Sequence, residues 1–429
     1  MTLRELPAGA TDKPSRRRAG LLRTLGPGLV TGAADDDPSG IATYSQVGAQ
    51  FGYGLAWMML FTYPLMTIIQ GISAGIGAVT GVGIAENLRR HYAPWVLRSA
   101  VLMLLVANLI NIGADLAAMG AALQLLIGGY HSLYAIVFAV VCIVLEVFVS
   151  YKKYSMILKW LTLSLLAYVG VVFSVRLPWE TALYSTFVPQ LTFDQEHAMA
   201  IVAVLGTTIS PYLFFWQAGE EIEELRRRHK KPLRASPRVA GVELSRIRAD
   251  TLIGMGFSNL IALFVIMATA ATLHANGVTE IETSSQAAEA LRPVAGELAF
   301  ALFAVGIIGT GMLAVPVLAG SAAYAVCEMF RWTEGLDRRP HEAKAFYGVI
   351  TLATLGGVAL SFTPFDPIKM LYWSAVVNGV LAAPLIAIMV LIGVNSRIMG
   401  GLTLPWWMTI GGAVSALIMA GATVASLVL

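Results

Sequence analysis

Three consecutive carboxylates interrupt the first apolar stretch of this 429-residue chain. Asp35, Asp36 and Asp37 precede Pro38 inside a segment that is otherwise apolar enough to enter a membrane. Hydrocarbon offers no water to freed backbone groups, so irregular backbone at membrane depth occurs only where protein buries it or a wet cavity borders it. Ionisable side chains at that depth are functional-site hypotheses by default. The stretch 26–40 therefore predicts a broken first transmembrane helix that carries a cation site.

The composition also indicates a membrane protein, because 57% of the residues are hydrophobic and only 13% are charged. Soluble proteins have about 25% charged residues. Spans of about 20 apolar residues can cross a bilayer as helices. We place such spans at 28–47, 55–79, 96–127, 133–149, 158–175, 198–216, 251–273, 298–329, 346–362, 370–394 and 404–429. The sequence thus predicts an all-α polytopic membrane protein with eleven transmembrane helices.

The positions of lysine and arginine test this assignment independently, because cytoplasmic loops carry an excess of them. With the N-terminus in the cytoplasm, 26 of the 29 basic residues fall on the inner side, and only Arg176, Arg292 and Lys369 fall outside. We therefore predict a multi-pass protein of the bacterial inner (plasma) membrane, with its C-terminus outside. The first 25 residues are basic and lack the apolar core of a signal peptide.

The net charge of +3 follows from this topology and does not indicate nucleic-acid binding. The basic run 226–248 is predicted as a solvated cytoplasmic loop, with binding of anionic lipid headgroups as the alternative. The glutamates at 220–224 precede this run. They are predicted either as an ion-paired, solvated face or as an acidic inner vestibule.

A second interruption occurs at 206–212, where hydroxyl side chains and Pro211 break a run that is apolar on both sides. This break lies in the sixth span, five spans after the first. Because five is odd, the second set of five helices starts from the opposite side of the membrane. Broken helices in corresponding positions of inverted halves indicate a transporter site near the midplane. We predict one transporter domain with a basic N-terminus (1–25), two inverted repeats (26–177 and 198–394) and an additional helix (404–429).

The third predicted helix has a polar face. Asn108, Asn111 and Asp115 lie at i, i+3 and i+7, which is one side of a helix. The asparagines suit either interhelical hydrogen bonds or a polar pathway, whereas an ionisable Asp115 at depth favours function. Asn378 in the tenth helix is either a packing residue or a further ligand. No histidine falls in the core of a span, so no imidazole is predicted as a proton relay or a ligand.

Three motifs together resemble the Nramp family of divalent metal transporters. Residues 37–40 (Asp-Pro-Ser-Gly), after Gly-Pro-Gly at 26–28, resemble the first-helix signature Asp-Pro-Gly-Asn. Residues 206–212 resemble the sixth-helix signature that ends in Met-Pro-His, and residues 115–122 resemble the third-helix pattern Asp-Leu-Ala-Glu. The resemblance covers nearly the whole chain. It implies a leucine-transporter-like fold with a five-plus-five inverted repeat and broken helices 1 and 6.

The resemblance also implies a metal site, with two departures from the family pattern. Asp37 takes the place of the metal-binding aspartate, and the carbonyls of Ala34 and Thr207 take the places of backbone ligands. Gly40 replaces the coordinating asparagine and Ser210 replaces the methionine. A thioether favours transition metals, whereas oxygen ligands suit Mg²⁺, Ca²⁺ or Mn²⁺. With fewer direct ligands the site fits a partly hydrated ion. The predicted metal set is Asp37, Asp36, Ala34, Gly40, Thr207, Ser210 and Asn378, with Asp35 adding charge.

The third departure concerns protons. Tyr212 occupies the position of the family's sixth-helix histidine and Ala118 that of its third-helix glutamate, so two groups associated with proton movement are missing. The predicted ion or proton pathway is Asp115, Asn111, Asn108 and Tyr212. This pattern resembles the Nramp-related magnesium transporter branch, for which the resemblance implies transport without proton coupling.

The predicted function is therefore transport of Mg²⁺, and also of Mn²⁺, by alternating access and without proton coupling. The metal ion is the substrate and no cofactor is implied; the other partner is the lipid bilayer. The alternatives are a proton-coupled Mn²⁺/Fe²⁺ transporter, a Na⁺-coupled organic-solute carrier and a passive channel. An enzyme is not indicated, because the chain has no nucleophile–base pair, cofactor fingerprint or nucleotide loop. The oligomeric state stays open.

Overall fold

The computed structural model describes residues 27–149, 163–190, 192 and 194–428. Within this part of the chain the regular structure is helical and no β-strand occurs. In chain order the helices are α1 (Pro27–Asp35), α2 (Pro38–Phe51), α3 (Trp57–Thr80), α4 (Ile84–His91), α5 (Pro94–Ile127), α6 (His131–Phe148), α7 (Leu166–Ser174), α8 (Trp179–Phe187), α9 (Gln195–Thr208), α10 (Pro211–Arg227), α11 (Pro237–Thr272), α12 (Ser284–Glu289), α13 (Arg292–Ala295), α14 (Ala299–Phe330), α15 (Lys344–Ser361), α16 (Pro367–Val394), α17 (Ser396–Met399) and α18 (Trp406–Val428).

The lengths of these helices match the thickness of a bilayer. In the described residues, nine helical stretches are long and apolar enough to cross a membrane, and one of them joins α9 to α10. Two predicted spans are not among the nine. The first is divided between α1 and α2, and the fifth (158–175) lies partly outside the described residues. The predicted N-terminal region 1–25 lies wholly outside them. The all-helical membrane architecture is confirmed, whereas the count of eleven helices stays a prediction.

Burial separates central from peripheral helices. In the stretch Gln195–Arg227, 89% of the most apolar window is buried, against 22% in α6 and 17% in α18. Large apolar side chains such as Leu417 and Leu427 are exposed along α18. Helices that expose broad apolar faces are typical of a surface covered by lipid. The broken stretch α9–α10 therefore lies in the centre of the bundle, and α6 and α18 lie at its lipid-facing edge.

The basic run predicted as a loop is mostly helical. Helix α10 extends to Arg227, and α11 begins at Pro237, well before the predicted start of the seventh span. Proline is favourable at the first helical position because its missing N–H would be unpaired there anyway. Pairs one helical turn apart support both helices: Arg228 Nε lies 2.5 Å from Glu224 Oε1, and Arg246 Nε lies 3.1 Å from Glu243 Oε2.

The glutamates before this run are ion-paired, but three of them are buried instead of solvated. Glu220, Glu221 and Glu223 are each at most 3% exposed. Arg227 lies 3.3 Å from Glu220, and Arg246 lies 2.7 Å from Glu221. A carboxylate is seldom buried without a partner, and these arginines supply one. The ion-paired prediction is thus right and the solvated one is wrong for these three side chains.

Close backbone contacts fix both broken helices in the bundle. A Cβ atom on Gly32 of α1 would lie 2.3 Å from the carbonyl oxygen of Gly254 in α11. A Cβ atom on Gly206 of α9 would lie 1.9 Å from the carbonyl oxygen of Ala375 in α16. Real Cβ atoms do not come this close, so both positions require glycine. The ends of α1 and α9 are therefore held against neighbouring helices by backbone packing.

Candidate metal site

The first helix break has a defined local geometry. Helix α1 ends at Asp35, and α2 begins at Pro38 with Asp37 as its N-cap. Asp37 Oδ1 accepts hydrogen bonds from the backbone N–H of Gly40 (2.7 Å) and from Ser39 Oγ (2.6 Å). Aspartate is favoured at this position because its side chain satisfies an N–H that the helix leaves unpaired. The helix thus holds one carboxylate oxygen of Asp37 and leaves Oδ2 to face across the break.

The second helix break lies opposite the first. Helix α9 ends at Thr208, and α10 begins at Pro211. The hydroxyl of Tyr212, in the first turn of α10, donates to Asp37 Oδ2 (3.1 Å) and to the carbonyl oxygen of Ala34 (3.2 Å). The two breaks are thus joined by hydrogen bonds from Tyr212, a residue of the predicted pathway, to the predicted ligands Asp37 and Ala34.

Ser210 does not point toward Asp37. Its hydroxyl donates to the carbonyl oxygens of Gly206 (2.9 Å) and Thr207 (3.0 Å) in the preceding turn. Gly40 lies close to the second break, because a Cβ atom there would lie 3.2 Å from Thr207 Oγ1 and 3.3 Å from Tyr44. Glycine at position 40 therefore allows α2 to approach the end of α9.

The ends of the half-helices suit a cation. The last carbonyl groups of an α-helix have no partner within the helix, and they carry the negative end of the helix dipole. The predicted backbone ligands, the carbonyls of Ala34 and Thr207, lie in the last turns of α1 and α9. Half-helix ends that meet inside a membrane protein are a recurring way to bind ions.

Asp35 and Asp36 contact a different helix from Asp37. The hydroxyl of Ser258 in α11 donates to Asp35 Oδ2 (2.7 Å) and to Asp36 Oδ1 (3.0 Å). The three aspartates are 1%, 4% and 1% exposed, and none of them joins an ion pair among the described residues. Buried carboxylates without a counter-charge are costly. A bound cation would supply that charge.

The chemistry of the site is that of oxygen ligands. Within the described residues no three side chains of His, Cys, Asp or Glu converge to hold a metal ion. The groups that do converge are one carboxylate oxygen of Asp37, the carbonyl of Ala34 and the hydroxyl of Tyr212. Such a set lacks a soft ligand and suits hard cations that keep part of their water.

The polar face of the third predicted helix lies in α5, and its residues differ in whether they form hydrogen bonds. Asn108 donates to the carbonyl of Leu318 (2.8 Å) and to Ser321 Oγ (2.6 Å) in α14, which is an interhelical hydrogen bond. Asp115 is fully buried, and its carboxylate finds no hydrogen-bond partner in the described part of the chain.

Two amides of the predicted site and pathway, Asn111 in α5 and Asn378 in α16, are buried without hydrogen bonds among the described residues. Helix α16 contacts both α2 and α9, and Gly379, next to Asn378, packs against Gly206 of α9. Buried polar groups are normally paired, so each orphan calls for an explanation. None of these placements tests a role in binding, and the roles of Asn111, Asn378, Asn108 and Asp115 stay predictions.

Contacts that the sequence did not indicate tie α1 to its neighbours. The backbone N–H of Gly28 donates to Asp250 Oδ2 in α11 (2.8 Å). Thr31 donates to Gln217 in α10, and Gln217 Nε2 lies 3.3 Å from Glu221 Oε1. Gly28 lies at the start of α1, where an aspartate is favourable for unpaired N–H groups and for the helix dipole. These partners are 186 or more residues apart in sequence, so no local motif signals them.

Comparisons with known proteins show the family of this chain. The family described as natural resistance-associated macrophage protein-like (Nramp) matches residues 28–429. A divalent metal cation transporter MntH from Xanthomonas campestris pv. campestris is 27% identical over 415 residues, which cover 94% of this chain and 89% of that protein.

Two solved structures share the fold. The crystal structure of an Eremococcus coleocola manganese transporter has a TM-score of 0.75 at 14% identity and covers 98% of this chain and 88% of that one. The structure of MhsT in complex with L-phenylalanine has a TM-score of 0.55 at 14% identity, covering 94% of this chain and 99% of that one. The predicted leucine-transporter-like fold class is confirmed.

Proposed function

Because the chain belongs to the Nramp family, we propose that it carries divalent metal cations across a membrane as substrate. The observation that carries the proposal is the convergence of Asp37 Oδ2 and the Ala34 carbonyl on the hydroxyl of Tyr212, at the point where two broken helices meet. Its relatives from Xanthomonas campestris pv. campestris and Verminephrobacter eiseniae are divalent metal cation transporters, which supports it. The site lies between α1–α2 and α9–α10 and is used by alternating access.

The substrate we propose is Mg²⁺, with Mn²⁺ also carried. The hydrogen bonds of Tyr212 to Asp37 and Ala34 join oxygen atoms, and Gly40 contributes no side chain, which supports an oxygen-ligand site. Mg²⁺ dehydrates reluctantly and is usually bound by one or two carboxylates together with retained water. Asp37 supplies the direct carboxylate. Asp35 and Asp36, which share the Ser258 hydroxyl, supply additional negative charge nearby.

The transport we propose is not coupled to protons. Tyr212 stands where the family has a histidine, and Ala118 stands where it has a glutamate, so an imidazole and a carboxylate are both missing from the route. Asp115 is the one carboxylate of the predicted pathway that remains. Inward movement of a divalent cation gains about 4.6 kcal/mol per 100 mV of membrane potential, twice the value for one charge. The membrane potential can therefore drive uptake without protons.

The second candidate is a proton-coupled Mn²⁺ or Fe²⁺ transporter in which Asp37 and Asp115 suffice. One observation favours it: the Asp115 carboxylate is buried without a hydrogen-bond partner in the described part of the chain. Three adjacent carboxylates disfavour the Na⁺-coupled carrier of an anionic organic solute, because they would repel it. For either metal reading we propose a bacterial inner-membrane protein with a cytoplasmic N-terminus and an external C-terminus.

The test is a flux assay in proteoliposomes that hold a Mg²⁺-sensitive dye, with a negative internal potential set by a K⁺ gradient. We expect saturable Mg²⁺ influx that Mn²⁺ inhibits. A pH dye in parallel vesicles should stay flat during influx. Strong preference for Mn²⁺ over millimolar Mg²⁺, with acidification that tracks the metal, would favour the second candidate. Absence of any divalent metal flux in protein shown to be folded by circular dichroism would refute both.

A carrier must also be distinguished from a channel. Mg²⁺ preloaded into the vesicles should accelerate the uptake of external Mn²⁺ if the site alternates between the two sides of the membrane. Flux that rises linearly with concentration and shows no acceleration by internal substrate would indicate a passive pore. Empty vesicles and vesicles with the Asp37→Ala variant control for leak.

A further inference from the structure

An apolar groove lies on the lipid-facing side of the bundle, apart from the metal site. It has a volume of about 320 Å³ and is lined by α3, α11, α18 and the segment before α18. Its walls include Gly71 and Gly75 of α3, Ile247 of α11, and Leu404 and Met408. This volume lies within the range of roughly 300–1,000 Å³ that is typical of ligand sites.

The floor of the groove reaches the backbone of α3. Gly75 is buried, yet a Cβ atom built on it would meet no other atom within 4 Å. By contrast, a Cβ atom on Gly32 of α1 or on Gly206 of α9 would lie 2.3 or 1.9 Å from a carbonyl oxygen of the neighbouring helix. The absence of a side chain at position 75 therefore serves no close helix contact and instead extends the groove. An apolar space of this kind is poorly suited to water.

The mouth of the groove is basic and aromatic. The Arg248 guanidinium lies over the ring of Trp407 at 5.1 Å from its centroid, and both residues line the groove. Arg248 is exposed and joins no ion pair among the described residues, whereas Arg246 two positions earlier pairs with Glu221. No acidic side chain is among the groove's described lining residues.

A second basic side chain lies beside the mouth. Arg234 donates to the carbonyls of Arg397 (3.2 Å) and Ile398 (3.0 Å), immediately before Met399 on the rim. Trp406, next to Trp407, is 75% exposed. Tryptophan is enriched where the bilayer meets water, and basic side chains near that level attract anionic lipids. The charge at the mouth thus complements an anionic headgroup above an apolar chain.

We propose that this groove binds an anionic diacyl phospholipid, with one acyl chain along Gly75 and the headgroup phosphate on Arg248. Arginine suits this role because its planar guanidinium can donate two parallel hydrogen bonds to a phosphate while it stacks on an aromatic ring. The inference uses residues outside the metal site and does not depend on which ion is carried. Free phosphate lacks the chain, and a zwitterionic lipid lacks the net charge.

The test is native mass spectrometry of the purified full-length protein, delipidated in detergent and then titrated with phosphatidylglycerol or phosphatidylcholine of identical chains. We expect the wild-type protein to bind one phosphatidylglycerol about fivefold more tightly than phosphatidylcholine. Arg248→Gln should remove that preference. Gly75→Phe should fill the groove and reduce binding of both lipids to the level of the non-specific adducts. Arg238→Gln, which changes another exposed arginine of α11, serves as the matched control and should bind as the wild type does.

Quenching by brominated lipid gives a second measurement that does not require Gly75→Phe to fold. Phosphatidylglycerol brominated in the acyl chain should quench the wild-type protein more than Trp407→Phe, because Trp407 lines the groove. Equal quenching in the two proteins, equal affinity for the two lipids, or binding unaffected by Arg248→Gln would overturn the proposal. None of these readouts uses transport, so a failed flux assay and a failed lipid assay remain separate results.

Discussion

The two helix breaks use the same backbone device with different side chains. Each has an extended cap residue, Asp37 (φ −73°, ψ 172°) or Ser210 (φ −78°, ψ 131°), followed by a proline at the first helical position. The side chain of Asp37 caps its own helix through the N–H of Gly40. The hydroxyl of Ser210 forms no cap bond and instead donates back to the helix that precedes the break.

The two breaks therefore offer different kinds of oxygen atom. The first break supplies the negative charge, because it holds three buried aspartates. The second break supplies neutral oxygens, because its contact with the first runs through the hydroxyl of Tyr212. Under the proposed function, a charged half facing a neutral half would give a divalent cation one strong anchor, which suits an ion that dehydrates reluctantly and keeps part of its water.

The largest effect should come from the charged half. We expect Asp37→Asn to lower divalent metal flux at least about thirtyfold, because removal of one member of a buried charge pair costs about 2–5 kcal/mol. Asparagine keeps an oxygen that can accept from Gly40, so the N-cap is retained. Flux in proteoliposomes measures the effect, and Ser39→Ala, which removes the other hydrogen bond to Oδ1, is the control. Wild-type flux in Asp37→Asn would show that the charged half is not the anchor.

The packing that holds the two breaks in register should be the next most sensitive feature. We expect Gly206→Ala and Gly32→Ala each to destabilise the folded protein by about 1–3 kcal/mol, because their Cβ atoms would overlap backbone atoms of α16 and α11. Thermal unfolding in detergent, followed by tryptophan fluorescence, measures this. Gly348→Ala is the matched control, since its Cβ would meet nothing within 4 Å, and it should not destabilise. If only one of the two variants is destabilised, the breaks are not held equivalently.

The all-helical membrane fold and the two helix breaks could be predicted, because both depend on patterns that are local in sequence. Apolar length, the distribution of basic residues and carboxylates beside a proline give the helices and the first break. The ends of α10 and α11 could not be predicted in this way. Charged residues at 220–248 resemble a loop by composition, whereas ion pairs one turn apart allow the helices to continue through them.

The partners inside the site could not be predicted from local patterns. Ser258 donates to Asp35 and Asp36 from 222–223 residues away, and Tyr212 reaches Asp37 across 175 residues. A lone serine in an apolar helix is common and carries no signal of its own, and a tyrosine in place of a histidine shows only that the histidine is absent. The direction of each side chain depends on how the two halves pack, which needs the structure.

A smaller effect should come from introducing a sulfur atom, which is a soft ligand, into the neutral half. We expect Ser210→Met to shift the preference for Mn²⁺ over Mg²⁺ by about tenfold, because a thioether favours transition metals over hard cations. Competition of the two ions in the flux assay measures the shift. Ser210→Ala is the control, since it removes the hydrogen bonds to Gly206 and Thr207 without adding sulfur, and its ion preference should match the wild type. An equal shift in both variants would mean that the hydroxyl, and not softness, sets the preference.

The smallest effect should come from the hydroxyl that joins the halves. We expect Tyr212→Phe to change the apparent affinity for Mg²⁺ about two- to tenfold, because a typical hydrogen bond contributes about 0.5–1.5 kcal/mol. The hydroxyl donates to Asp37 Oδ2 and to the Ala34 carbonyl, and both atoms must turn to the cation when it binds. Dye-based Mg²⁺ titration of flux measures the change.

The direction of that change distinguishes two roles of Tyr212. If the hydroxyl competes with the cation for these oxygens, its removal tightens binding. If the hydroxyl holds the oxygens in place or binds the ion through water, its removal weakens binding. Tyr324→Phe is the control, because Tyr324 donates to Glu223 (2.5 Å), away from the breaks. An unchanged affinity in Tyr212→Phe would show that the neutral half contributes through its backbone carbonyls alone, and the contrast between the two breaks would then reduce to the charge of the aspartates.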